Sequence, residues 1–264
     1  MMHLTDFANT AAGFFVGLFV GLTGVGGGAL MTPILVLLFG VAPATAIGTD
    51  LWFAAVTKLF GMSVHHGQGS VDWQVVRRLC LGSLPAACLT SLYLYLAGAS
   101  RIRDGFLISA LGTVLIITAL AMLFKEQLHT FGRRLRIGTP ERFKHAQFGL
   151  TVLAGALLGV MVTLTSIGAG ALGATLLLYL YPLRLTTAKL VGTDIAHAIP
   201  LAVVAGSGHL LAGNVNGSLL VWLLLGSIPG VFIGARLGYR VPDRWLRGGV
   251  AVLLGAIGIK MLSA

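Results

Sequence analysis

An all-α polytopic membrane protein is the fold class predicted by three observations: 56% of the 264 residues are hydrophobic, only 10% are charged, and long apolar runs fill most of the chain. A soluble domain carries about 25% charged residues. Mean hydropathy is +0.93, again outside the soluble range. Eight apolar segments, near 11–39, 43–64, 73–97, 105–124, 148–181, 187–211, 218–239 and 245–263, are long enough to cross or enter a bilayer.

The first segment is interrupted near its middle by Gly24-Val25-Gly26-Gly27-Gly28, and glycines in that number favour a broken or re-entrant helix over a continuous span. The second carries Gly48-Thr49-Asp50 and Lys58, the one cation well inside a predicted span. In the third, Cys80 and Cys88 sit about 12 Å apart along one helix, too far to bond to each other. The polar stretch 125–147 follows the fourth and is too short for a soluble domain. No ATPase module is expected, so any energy source is a gradient or a partner protein. The fifth segment is broken by Ser166-Ile167-Gly168-Ala169-Gly170, and the sixth holds Gly192-Thr193-Asp194, His197 and His209. Trp73, Trp222 and Trp245 mark segment ends, as interfacial anchors do. The N-terminal MMHLTDFANTAAGFF has neither Lys nor Arg before its apolar run and no cleavage site, so no signal peptide is expected.

A shift of 144 residues lays Gly24 on Gly168, Asp50 on Asp194, His65 on His209, Pro85 on Pro229 and Tyr95 on Tyr239. One offset carrying Asp, His and Pro predicts two homologous repeats, 11–124 and 148–264, joined by a basic linker at 125–147. Lys125, Arg133, Arg134, Arg136, Arg142 and Lys144 place that linker in the cytoplasm. With re-entrant first segments, Arg184, Lys189, Arg240, Arg244 and Arg247 also fall inside, which favours inverted repeats over parallel ones. The net charge of +10 is thereby explained by topology in a plasma (inner) membrane, and nucleic acid is not an expected partner.

Each chemically suggestive feature has two readings. The glycine breaks offer free backbone N–H groups and a positive dipole end to an anion, or they allow close helix packing. Packing is expected of scattered glycines such as Gly17 and Gly21. Asp50 and Asp194, placed at the opening of the second segment of each unit, fit proton coupling, an N-cap or hydrogen-bond anchor, or cation coordination. Lys58 fits pairing with an anion or with Asp50, or snorkelling to the interface. His197 fits a proton relay or a hydrogen-bonded packing group. No His-x-x-x-His or Cys/His metal spacing and no Ser-His-Asp arrangement is present, so no enzyme, metal or cofactor is expected.

At these residues the chain resembles a known family. "GLTGVGGGALMTPIL", "AIGTDL", "HGQGSVDW" and "LGSLPA", followed by "TSIGAGALGATLLLYLYPLRL", "VGTDIAHAIPL" and "GSIPGVFIGARLG", are similar to the TauE/SafE sulfite exporter family, part of the toluene sulfonate uptake permease group. The resemblance runs from about 11 to 262. It implies a secondary transporter of small sulfur-containing anions such as sulfite or sulfoacetate; protons are a partner only on the proton-coupling reading of the aspartates. Gly24, Gly26, Gly27, Gly28, Ser166, Gly168 and Gly170 would form the anion cradle, with Thr49 and Thr193 nearby. The second motif lacks the triple glycine of the first, so unequal contacts from the two halves are expected. An anion channel and a non-transporting scaffold are the alternatives, and a homo-oligomer is compatible with the sequence.

Overall fold

The computed structural model describes residues 4–23, 28–64, 71–97, 104–138, 140–238 and 243–263, all in helices or short connections. The helices are α1 (Leu4–Thr23), α2 (Gly28–Leu37), α3 (Pro43–Val64), α4 (Trp73–Ala97), α5 (Asp104–Leu123), α6 (Lys125–Gly138), α7 (Pro140–Thr165), α8 (Ala171–Leu180), α9 (Thr187–Leu211), α10 (Gly217–Gly238) and α11 (Asp243–Ser263). Among the described residues five helices are long and apolar enough to cross a membrane: Trp73–Ala97, Asp104–Leu123, Ala146–Thr165, Ala188–Leu211 and Gly217–Leu237. Asp6–Leu22, Ala171–Leu180 and Gly248–Ser263 are shorter apolar helices. The chain is therefore a multi-pass membrane protein. Its outer surface agrees: Leu81, Leu89, Tyr93 and Leu96 on α4, and Phe15, Leu153 and Val252 elsewhere, are exposed, a surface suited to acyl chains.

The offset seen in the sequence reappears in the element bounds. Adding 144 to the first residues of α3 and α4, Pro43 and Trp73, gives the first residues of α9 and α10, Thr187 and Gly217.

Contacts between helices fix their directions. Gly13, Gly17 and Gly21 of α1 lie against Leu223, Ser227 and Val231 of α10, in rising order on both, so these helices are parallel. α7 and α4 are parallel by the same criterion, Gly155 facing Leu79 and Gly159 facing Ser83. In contrast, α5 and α11 are antiparallel, since Gly112 meets Leu262 while Gly258 meets Ile116. α3 and α9 are antiparallel too, with Gly48 against His209 and Gly206 against Trp52. Scattered glycines thus serve packing, as expected for Gly17 and Gly21: a Cβ at either would strike the backbone of α10.

These directions make the first segment of each unit a hairpin. Thr57 of α3 meets Ser227 of α10, and Thr49 meets Asn216, so α3 is parallel to α10 and hence to α1. The chain must then return along α2 before α3 begins. In the second unit the return is direct: Gln147 near the start of α7 donates Nε2–H to the carbonyl of Leu180 at the end of α8 (2.6 Å), and Thr151 meets the Tyr181 hydroxyl (2.8 Å). α6, in the stretch read as a plain linker, is a helix that packs on the exit of this hairpin, with Phe131 stacked on Tyr179 (6.2 Å between centroids).

Candidate functional site

The hairpin tip of the second unit is built from backbone that few residues adopt. Ser166 has φ 59°, Gly168 122° and Gly170 150°. Left-handed backbone at a non-glycine residue costs roughly 1–2 kcal/mol, which marks Ser166 as held there by its surroundings. The tip is fastened by Thr165, whose hydroxyl donates to Met161 O (2.6 Å) and accepts from the Ile167 N–H (3.2 Å). Across it, Gly173 N–H reaches Gly168 O (3.0 Å) and Ala174 N–H reaches Gly170 O (2.8 Å). The amides of Ala171 and Leu172, in the first turn of α8, have no helical partner.

Around this tip three charged side chains converge inside the protein. Asp50 on α3 and Lys58, two turns further along, are 0% and 3% exposed, and Asp194 on α9 is 3% exposed. Lys58 Nζ donates to the carbonyl of Ala169 at the tip (2.7 Å) and lies within electrostatic reach of both carboxylates. It does not snorkel. Thr32 of α2 donates its hydroxyl to Asp50 Oδ2 at 2.5 Å. The Ser166 hydroxyl lies near the Asp50 carboxylate. Yet Ser166 Oγ, Asp50 Oδ1 and Asp194 Oδ1 are all buried without a hydrogen bond of ordinary geometry. Each such group costs about 1–3 kcal/mol, more when charged, unless something else meets it.

Two expectations about the aspartates are corrected. Neither opens its helix: α3 starts at Pro43 and α9 at Thr187, which puts each Asp in the helix interior. The N-cap reading fails for the same reason, and the cap of α9 is Thr186, whose side chain accepts from Lys189 N–H. Anchoring survives in another form at Asp50, through Thr32 rather than through a helix start.

The Gly-Thr-Asp steps divide their labour by residue. Gly48 lets α3 pass close to Asn214 and His209, where a Cβ would overlap the Asn214 carbonyl. Thr49 accepts the Asn216 N–H (3.1 Å) and Thr193 accepts the Asp72 N–H (2.9 Å), each pinning the chain just ahead of α10 or α4. Asp50 and Asp194 supply the charge. His197 pairs through Nε2 with Ser83 (2.8 Å), and His209 donates Nε2–H to Thr163 O (2.9 Å). Both are hydrogen-bonded at Nε2, and Nδ1 of each has no partner among the described residues.

Gly24, Gly26 and Gly27 lie outside the described residues, as does His65, and Gly28 is the first residue of α2. Thr32 and Ala169, which complete the charged centre, were not singled out from the sequence. Thr32 was findable in principle, as a hydroxyl one turn into the helix that follows a glycine break. Ala169 contributes only its carbonyl and left no signal.

Comparison with known proteins identifies the family of the chain. The probable membrane transporter protein YjnA of Bacillus subtilis is 40% identical over 255 residues, covering 95% of this chain and 97% of its own. YdhB of the same organism, also a probable membrane transporter protein, is 28% identical over 94% of this chain and 97% of its own. A probable membrane transporter protein of Methanocaldococcus jannaschii is 24% identical over 95% and 92%. No solved structure shows a significant match. Residues 10–261 match the family described as Sulfite exporter TauE/SafE, and the chain belongs to that family of membrane transporters.

Proposed function

We propose that the protein is a secondary carrier that moves small sulfur-containing anions, such as sulfite, sulfoacetate or related organosulfonates, across the plasma membrane in company with protons. The observation that carries this reading is the buried ammonium of Lys58 seated on the carbonyl at the tip of a broken helix. A tip of this kind presents unpartnered amides, the unpartnered Ser166 hydroxyl and one cation, a donor set suited to sulfite or sulfonate oxygens. Gly168 and Gly170 provide the backbone curvature, and the sequence repeat assigns Gly24 to Gly28 the corresponding role in the first unit. Thr49 and Thr193 hold the helices that frame it.

Proton coupling follows from the charge balance. With Asp50, Asp194 and Lys58 all ionised the centre is already net negative, and an anion adds to that in a low-dielectric interior. A proton taken up with the anion removes the excess, and Asp50 Oδ1 and Asp194 Oδ1 are the free acceptors for it. The donor set and its charge balance suit a carrier rather than a catalyst.

The test is flux and thermal stability of the purified protein with sulfite, thiosulfate, sulfoacetate, taurine and toluene sulfonate under an imposed pH gradient. At least one of these is expected to stabilise the protein and to be carried faster with the gradient. Lys58→Met is expected to weaken the response about tenfold or more, since a hydrogen bond to a charged group contributes ~1.5–3 kcal/mol. Asp194→Asn is expected to flatten the pH dependence. A response to a cation with none to any sulfur oxyanion overturns the assignment.

A further inference from the structure

The two ends of the molecule have the same frame and different locks. At the end where α6 packs, the Asp72 N–H is held by Thr193 (2.9 Å) and Asp72 Oδ1 accepts from the Val75 N–H (3.3 Å). At the opposite end, the Asn216 N–H is held by Thr49 (3.1 Å) and Asn216 Oδ1 accepts from the Leu219 N–H (3.0 Å). The residues match at the offset of 144 throughout, so the frame is common.

What is added to it is not. Asp72 receives Arg184 in a two-pronged ion pair, Nε to Oδ2 at 2.6 Å and Nη2 to Oδ1 at 2.8 Å, and Nη2 also reaches Gln74 Oε1 at 2.8 Å. Arg184 stands on the exit of the second hairpin, so the pair joins that hairpin to α4 and, through Thr193, to α9. Beneath it Tyr181 is fully buried, its ring 5.9 Å from the Arg184 guanidinium, and its hydroxyl accepts from Arg78 (3.3 Å) and meets Thr151 (2.8 Å). This end is shut.

At the opposite end a neutral Asn216 replaces Asp72, and the position matching Arg184 is Gly40, with φ 62° and open space around it. There the protein has a cavity of about 340 Å³, lined among others by Thr45, Tyr95, Asp104, His209 and Asn214. His209 in its wall is buried, 3% exposed, and bonds Thr163 O one turn before the tip residue Ser166. His209 thus ties the wall of this cavity to the helix that ends at the tip.

We propose that the structure is one of two access states, open at the Asn216 end, and that the Arg184–Asp72 pair is the latch that parts when the central site turns toward the linker side. This rests on the carrier reading above. The latch gives the cycle its bias: the frame is shared by both ends, and the ion pair adds stability to the state closed at the linker end.

Cysteine labelling of the full chain in liposomes tests it, with Cys80 and Cys88 replaced by Ala. Leu185→Cys, beside the latch and buried, reports on the linker side, and Thr45→Cys reports on the cavity. Arg184→Ala, or the isosteric Asp72→Asn, is expected to raise labelling at Leu185→Cys about fivefold and to lower it at Thr45→Cys, the shift expected for loss of one partly exposed pair. Exchanging the charges, Asp72→Arg with Arg184→Asp, is expected to restore both rates. Unchanged labelling at Leu185→Cys, or a rise there with no fall at Thr45→Cys, overturns the proposal. Neither rate depends on added anion, so a failed anion panel leaves this result readable.

Discussion

Gly168 shows how one residue sets the tip. Its φ of 122° is a conformation that side-chain-bearing residues avoid, while the space around it is ordinary: a Cβ would sit 3.5 Å from Val162 Cγ2 and 3.7 Å from Leu158 Cδ2. Gly168→Ala is therefore a test of backbone rather than of crowding. It is expected to cost roughly 1–3 kcal/mol of stability and to weaken anion-induced stabilisation along with it. Thermal unfolding in detergent, with and without anion, measures both, and an unchanged melting point would mean that the tip is built differently. The neighbouring Gly173 fails for another reason, because a Cβ there would fall on Asp194 Oδ1. The paired Gly-Thr-Asp steps, Lys58 and the glycine break were legible as chemistry because charge and clustered glycine are rare in apolar sequence. Their partners were not legible. Thr32 lies 18 residues from Asp50 and Ala169 lies 111 residues from Lys58, separations that no local pattern encodes.

Among elements, the α1–α10 contact is the one in which packing leaves least latitude. Gly13, Gly17 and Gly21 face carbonyls of Leu223, Ser227 and Val231, while Gly226, Gly230 and Gly234 face carbonyls of Thr10, Phe14 and Leu18. Lipid tails give helices no hydrophobic reason to associate, so close backbone approach and its Cα–H···O contacts supply the attraction. Gly17→Leu must push the helices apart and is expected to destabilise by about 1–3 kcal/mol or more, as overpacking does. Gly149→Ala on α7, with open space around it, is the control and is expected to stabilise by up to ~1 kcal/mol through helix propensity. Equal melting points for the two variants would contradict the close contact. Element positions were largely legible, since apolar runs and breaks set them. The starts at 43, 73 and 187 were legible as well; what was misjudged is where the aspartates fall, since Pro43 suits the first turn of a helix, where its missing N–H is no loss, and it begins α3 about two turns before Asp50. α6 was missed although it is amphipathic, because its charge density reads as a polar linker; its apolar side meets α8 through Phe131 on Tyr179, with Gly132 beside it.

For the molecule as a whole, direction and charge point to one topology. Matched helices of the two units, α3 with α9 and α5 with α11, run antiparallel, and the first helix of each unit lies parallel to the fourth of the other, α1 to α10 and α7 to α4. Two parallel repeats would set matched helices in the same direction, so the arrangement requires an exchange axis across the helices. With that axis in the membrane plane, and among the described residues, the α6 end collects Arg77, Arg78, Arg133, Arg134, Arg184, Lys189 and Arg236, against Lys260 at the other. A cytoplasmic α6 end satisfies the positive-inside tendency and leaves the Asn216 end, with its cavity, outside. Reporters whose activity depends on compartment, fused after position 214 and after position 242, separate the alternatives. The reporter at 214, ahead of α10, is expected to be active only as an external reporter, and the one at 242, ahead of α11, only as a cytoplasmic one. α10 crosses between them, and at 22 residues it spans about 33 Å, enough for the hydrocarbon core. Both on one side would mean that α10 does not cross, which breaks the inverted pairing; opposite sides with 214 inside would keep the pairing and reverse the placement of the latch.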